Sequence, residues 1–162
     1  MSIAFSKESD AQLERLLKTY PNAEACLIPA LHLAQAQFGY VSHEVMEMVA
    51  ARLGLPPQKV LSTSTFYTMF NKQPVGRFHV QVCANVSCYL RGSDSILKAL
   101  EEELGIAAGH TTPDKAFTLT TVQCLAACGT APAMQVNDTY YENLTPDAAR
   151  DVVRRLRKGD AR

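Results

Sequence analysis

The sequence predicts an α+β protein of the α/β type, with a small helical bundle over residues 1–72 followed by a sheet-and-helix domain over residues 73–162. Three observations carry the prediction. Apolar residues recur at helical spacing through the first part of the chain, and they alternate with polar residues in the strands that follow. Between the two patterns lies NKQPVG, residues 71–76, a polar and turn-rich stretch that reads as a boundary.

Taken in order, SKESDAQLERLLKTY places Leu13, Leu16 and Leu17 on one helix face. PALHLAQAQFGY predicts a helix from Pro29 to Gly39, the usual start and stop residues. SHEVMEMVAARLG follows, with Ser42 as N-cap, Val45, Val49 and Leu53 four apart, and Gly54 closing the helix. A fourth helix is expected to begin at PPQKV. Each apolar stripe needs a neighbour to cover it, which makes a bundle of the four.

Beyond the boundary, RFHVQVC turns Phe78, Val80 and Val82 inward against His79 and Gln81, the pattern of a half-buried strand. GSDSILKALEEELG is a helix with Ile96, Leu100 and Leu104 on one stripe. AFTLTTVQC and PAMQVN read as strands, TYYENL as a short third, and TPDAARDVVRRLRKG as a last helix capped by Thr145 with Pro146 at its first position. Strand, helix, strand, strand, helix is the order of a small mixed sheet with helices packed on it.

A chain of 162 residues that is 47% hydrophobic can bury one good core with a small module attached. Sixteen basic and sixteen acidic residues cancel, with no basic block to track a phosphate backbone, so nucleic acid is excluded as the expected partner. The longest apolar run, ACLIPAL, is far short of the roughly 20 residues of a spanning helix. MSIAFSKESDAQ lacks the basic and apolar regions of a signal peptide, which places the protein inside the cell. There, five cysteines read as metal or redox chemistry rather than disulfides, with one standing outside any set of four.

Cys83 and Cys88 form a C-x4-C pair in VCANVSCYLRG, and Cys124 and Cys128 a C-x3-C pair in QCLAACG. Two short pairs on loops after strands can converge on one metal site. The four-residue gap sits at the edge of the range for zinc knuckles, whereas a binuclear iron–sulfur cluster takes two thiolates on each iron and accepts wider pairs. The intervening ANVS and LAA contain no acid, and the nearby Gly92 and Gly129 are either donors of backbone N–H groups to sulfur or simple turn residues. Structural zinc on the same four cysteines remains open at this point, while the C-x-x-C spacing of a thioredoxin-type dithiol is absent.

Four ordered motifs, LIPALHLAQAQFGYVS, STFYTMFNKQPVGRFHVQVC, VCANVSCYLRG and VQCLAACGTAPAMQVND, resemble the NuoE family of bacterial NADH:quinone oxidoreductase, the respiratory complex I. The mitochondrial relative of that family is the 24-kDa subunit. The resemblance runs from about residue 10 to about 158. It implies a thioredoxin-like ferredoxin domain with one [2Fe–2S] cluster on Cys83, Cys88, Cys124 and Cys128, preceded by a helical bundle that helps dock the subunit. It further implies an FMN- and NADH-binding flavoprotein partner of the NuoF kind, other peripheral-arm subunits, and a place on the cytoplasmic side of the inner membrane without insertion. The chain would be an electron-transfer subunit of an oxidoreductase, with no catalytic residue of its own. Related subunits serve NAD-linked hydrogenases and formate dehydrogenases, but APAMQVNDTYYENLTP is closer to the respiratory version. Such a role fits elementary redox chemistry: NADH gives up two electrons as hydride, iron–sulfur centres move one, and flavin converts between them.

The remaining residues read plainly. No G-x-G-x-x-G or P-loop is present, so the flavin and NADH sites are expected on the partner. His79 is expected on the outward face of its strand, and His32 and His43 as ordinary helix residues. Phe66, Tyr67 and Phe70 are expected as a core stripe joining the two modules, Cys26 as a buried small hydrophobe, and Pro132 as the cis-proline that thioredoxin-like folds place before a strand.

Overall fold

Four helices build the N-terminal unit, which runs to Pro74: α1 (Lys7–Thr19), α2 (Leu27–Phe38), α3 (His43–Leu53) and α4 (Pro57–Phe66). The computed structural model describes residues 3–159, so the outer limits expected at residues 1 and 162 lie outside the described residues. Helix α3 follows its sequence signals: the Ser42 hydroxyl accepts from the Val45 N–H at 3.3 Å, and Gly54 ends the helix in the left-handed conformation at φ 64°. Helix α2 begins at Leu27, two residues earlier than the sequence predicts. Pro29 therefore occupies the third helical position, where its missing N–H costs nothing because first-turn amides have no partner inside the helix.

Leu13, Leu31, Val45, Val49, Val60 and Phe70 meet in the core of this unit, together with Cys26, which is fully buried. Burial pushes the Cys26 thiol up from its ordinary value, and the side chain packs as a small hydrophobe. The stripe expected of Phe66, Tyr67 and Phe70 does not form. Helix α4 ends at Phe66, which is 77% exposed and lies edge-on to the half-buried Tyr67, while Phe70 is buried. The chain leaves the helix between them, so spacing that is helical in sequence is not helical in space.

The second unit starts at Val75 and holds one five-stranded sheet in the order β2-β3-β1-β4-β5. Its elements are β1 (Phe78–Cys83), α5 (Val86–Leu90), α6 (Ser93–Leu104), β2 (His110–Thr111), β3 (Phe117–Val122), β4 (Met134–Val136), β5 (Thr139–Tyr141) and α7 (Pro146–Lys158). β1 is the central strand, parallel to β3 and antiparallel to β4, and the crossover between the parallel pair carries α5 and α6. Val80, Val82, Leu119, Met134 and Val136 share one sheet face, which α6 and α7 cover with Ile96, Leu100, Val152 and Val153. Arg150 with Glu102 and Arg154 with Glu103 join the two helices at their outer edge.

Register puts His79, Gln81 and Cys83 on the opposite face, beside Thr118, Thr120 and Val122 of β3. His79 is only half-buried there, and its Nε2 lies 2.9 Å from the Thr120 hydroxyl. Two short elements were not legible in the sequence: β2, of two residues, and α5, of five. Ala131–Pro132 is a cis peptide bond. Among the described residues no helix is long and apolar enough to cross a membrane.

Candidate metal centre

The four paired cysteines come from three places in the second unit. Cys83 is the last residue of β1, Cys88 lies in α5, and Cys124 and Cys128 bracket the loop after β3, where Cys128 opens a turn of 3-10 helix reaching Thr130. Parallel pairing sets Cys83 opposite Val122, so the chain leaving β3 passes over the end of β1 two residues before Cys124. Asn85 accepts from the Val86 N–H and starts α5, which then turns Cys88 back toward Cys83. Cys83 and Cys88 are buried, and Cys124 and Cys128 are exposed.

Ala131 and Ala133 complete a small apolar cluster with the two buried thiols, and Leu125 and Ala127 pack against it. The segment carrying Ala131 and Ala133 is fixed from both sides: the Cys83 N–H donates to the Ala133 carbonyl at 3.1 Å, and the Leu144 N–H donates to the Pro132 carbonyl at 3.1 Å. Small side chains here leave room beside sulfur, and the apolar lining keeps water from the inner pair.

Charge at the thiols is tuned in opposite directions. Burial pushes the Cys83 thiol up, but the amides of Asn85 and Leu125 and the thiols of Cys88 and Cys124 outweigh it and hold Cys83 below the usual thiol range. Burial also pushes the Cys88 thiol up, and negative charge on Cys83 and Cys128 adds to that push against the Ala133 amide. The Ala126 N–H donates to the Cys124 sulfur at 3.3 Å. Thiolate is the form that binds metal, and amide donors around sulfur stabilise it.

This donor set fits an iron–sulfur group. The thiols of Cys83 and Cys88 share one buried cluster, the loop between Cys124 and Cys128 packs against it, and the Ala126 N–H donates to the Cys124 sulfur. The glycines behave differently from one sequence reading: Gly92 is the left-handed cap of α6 at φ 92°, its N–H donating to the Tyr89 carbonyl at 2.9 Å, and Gly129 lies in the 3-10 turn. The amides that favour thiolate charge come from Asn85, Leu125 and Ala133 instead, and that of Ala126 donates to the Cys124 sulfur. A carboxylate also approaches the loop, which the acid-free intervening residues did not suggest: the Thr130 hydroxyl donates to Glu142 at 2.6 Å.

His32 stacks on Phe70, and His43 pairs with Glu47 on the surface of α3. Both belong to the helical unit and have no part in the cysteine cluster.

Comparison with known proteins identifies the family. The family model for thioredoxin-like [2Fe–2S] ferredoxins matches residues 13–157. One of the E-type subunits of NADH-quinone oxidoreductase from Rhizobium meliloti is 50% identical over 86% of this chain and 82% of its own length. The corresponding E-type subunit from Rickettsia bellii is 41% identical over 96% of this chain and 95% of its own. Among solved structures, an NAD+-reducing [NiFe]-hydrogenase superposes with a TM-score of 0.71 at 20% identity over 82% of this chain, which spans 22% of that hydrogenase chain, a likeness of fold. Matched over nearly its whole length by both the family model and these relatives, the chain belongs to the thioredoxin-like [2Fe–2S] ferredoxin family, together with the E-type subunits of NADH-quinone oxidoreductase.

Proposed function

We propose that this chain is an electron-transfer subunit of NADH:quinone oxidoreductase, holding one [2Fe–2S] cluster on Cys83, Cys88, Cys124 and Cys128 beside the FMN of the complex's NADH-oxidising flavoprotein. The observation that carries it is the packing of Leu125 and Ala127, from the loop between Cys124 and Cys128, against the buried cluster of Cys83 and Cys88, which brings the two sequence pairs to the end of β1. Relatives at 40–50% identity named as subunits of that oxidoreductase support the choice of complex over a hydrogenase, whose likeness is one of fold.

When bound, the cluster supplies a centre that accepts and releases one electron at a time. The chain's own residues set its surroundings. Cys83 and Cys88 hold the buried side, where Ala131, Ala133 and Leu125 exclude water. Cys124 and Cys128 hold the exposed side, the face open to an electron-exchanging partner. The amides of Asn85, Leu125, Ala126 and Ala133 stabilise negative charge on sulfur without moving a proton. FMN and NADH belong to the flavoprotein, a NuoF-like subunit, and the assembled complex places this chain on the cytoplasmic side of the membrane.

Iron, zinc and acid-labile sulfide content, measured with a low-temperature EPR spectrum of the dithionite-reduced, anaerobically purified protein, tests the reading. Two irons, two sulfides and a signal below the free-electron field are expected for a [2Fe–2S] centre. One zinc and no signal would replace it with a zinc-stabilised adaptor built on the same four cysteines. Comigration with a flavoprotein on a native gel separates a complex subunit from a free ferredoxin shuttle.

A further inference from the structure

Ala126 stands in the left-handed region, at φ 58°, in the middle of the loop between Cys124 and Cys128. An L-residue with a Cβ is disfavoured in that conformation, and alanine has no polar side chain with which to offset the cost locally, as Asn or Asp do. The other non-glycine residues with positive φ among the described residues are of different kinds: Asn137 and Asn143 in turns, and Lys115 before β3. Ala126 is the one beside the cysteines.

Its neighbours explain why the conformation persists. Leu125 and Ala127 both pack against the cluster of Cys83, Cys88, Ala131 and Ala133, while Ala126 between them is exposed. The loop is tied down past Cys128 as well: the Thr130 N–H donates to the Ala127 carbonyl at 3.2 Å, and the Asn143 N–H donates to the Thr130 carbonyl at 2.7 Å. With both flanks anchored, the chain reverses at Ala126.

That reversal presents the Ala126 amide to a sulfur. The Ala126 N–H donates to the Cys124 sulfur at 3.3 Å. A backbone N–H turned by a left-handed residue is a component of the anion-binding concavities found at phosphate and iron–sulfur sites. Strain retained at such a place points to a role for the conformation rather than for the side chain.

We propose that Ala126 is a positioning residue of the metal centre: its left-handed backbone aims its own amide at the sulfur of Cys124, and its methyl group contributes only strain. The proposal rests on the iron–sulfur reading above. It predicts that glycine, which adopts this conformation freely, serves the site better than alanine, and that a β-branched residue serves it worse although the position is open to solvent.

The test compares the wild-type protein with Ala126→Gly and Ala126→Val. Iron release to a chelator and the reduction potential from an EPR titration are measured on each. Ala126→Gly is expected to release iron roughly fivefold more slowly, part of the relieved strain being offset by the added loop freedom of glycine. Its potential should equal that of wild type, because the amide at position 126 keeps its aim. Ala126→Val is expected to release iron roughly tenfold faster. Its potential should fall, because hydrogen bonds to sulfur raise the potential and are misdirected in this variant. Equal release and equal potential in Ala126→Val and wild type overturn the proposal while leaving the cluster in place, and faster release from Ala126→Gly overturns it too. Wild-type protein that contains no iron and sulfide removes the iron–sulfur reading itself, and the proposal with it.

Discussion

Cys83 and Cys124 come to the same end of the sheet although one closes β1 and the other follows β3, because the parallel register sets Cys83 opposite Val122, two residues before Cys124. The sheet, rather than either loop, assembles the two cysteine pairs. Each of Cys83→Ser, Cys88→Ser, Cys124→Ser and Cys128→Ser is therefore expected to lower bound iron by more than about tenfold, at least the loss that follows when a supporting group around a metal is removed. The exposed pair should do so with little effect on folding, and the buried pair with a lower urea midpoint as well. Wild-type iron content and EPR spectrum in Cys88→Ser would exclude it as a ligand.

Gly76 tests how tightly the start of the second unit is seated. A Cβ built there would lie 2.8 Å from the Phe117 carbonyl carbon and 2.9 Å from its nitrogen, and both are backbone atoms of β3 that cannot swing aside. The Gly76 N–H also donates to the Thr118 hydroxyl at 2.7 Å. Gly76→Ala should destabilise the protein by about 1–3 kcal/mol, the cost of overpacking a tight contact. Urea denaturation followed by circular dichroism measures it, and an unchanged midpoint would show that the two segments separate easily.

Much of this architecture was legible because each long element carries two signals that agree. Helix α3 has its Val45, Val49, Leu53 stripe and both caps, and α7 has Thr145 and Pro146 at its start. Short elements lack that redundancy: in α5, Val86 and Leu90 are 63% and 77% exposed, so no apolar stripe marks the helix. Alternation told which face His79 occupies but not how far that face is covered, since burial of a central strand depends on partners distant in sequence. At the metal centre the cysteine spacings were readable, whereas the donors to sulfur were not. Asn85, Leu125, Ala126 and Ala133 act through backbone amides, which every residue but proline possesses.

His79 makes stability depend on pH. Burial lowers its pKa from an ordinary value near 6.5, so in the folded protein the ring takes up a proton at lower pH than in the unfolded chain. Below about 6.5 the unfolded state binds more protons than the folded one, and stability falls as pH falls, until the folded-state ring also titrates. His79→Gln removes this contribution. Between about pH 7.5 and about pH 5 the urea midpoint of the variant should decline less than that of wild type, and parallel declines would assign the acid sensitivity to other groups.

Glu142 offers a way to test whether charge outside the cysteine loops reaches the metal centre. Its carboxylate accepts from the Thr130 hydroxyl, and Thr130 ends the 3-10 turn that Cys128 begins. Negative charge near an iron–sulfur centre disfavours the added electron and lowers its potential. Glu142→Gln keeps an oxygen for Thr130 while removing the charge, so the loop should hold its shape and the potential should rise. Because both Thr130–Glu142 and the Cys128 loop are open to solvent, the rise should be larger in dilute buffer than at about 1 M salt, where the Debye length is only about 3 Å. A potential that moves equally at both ionic strengths would instead trace the change to altered hydrogen bonding, and one that does not move at all would place Glu142 outside the electrostatic reach of the centre.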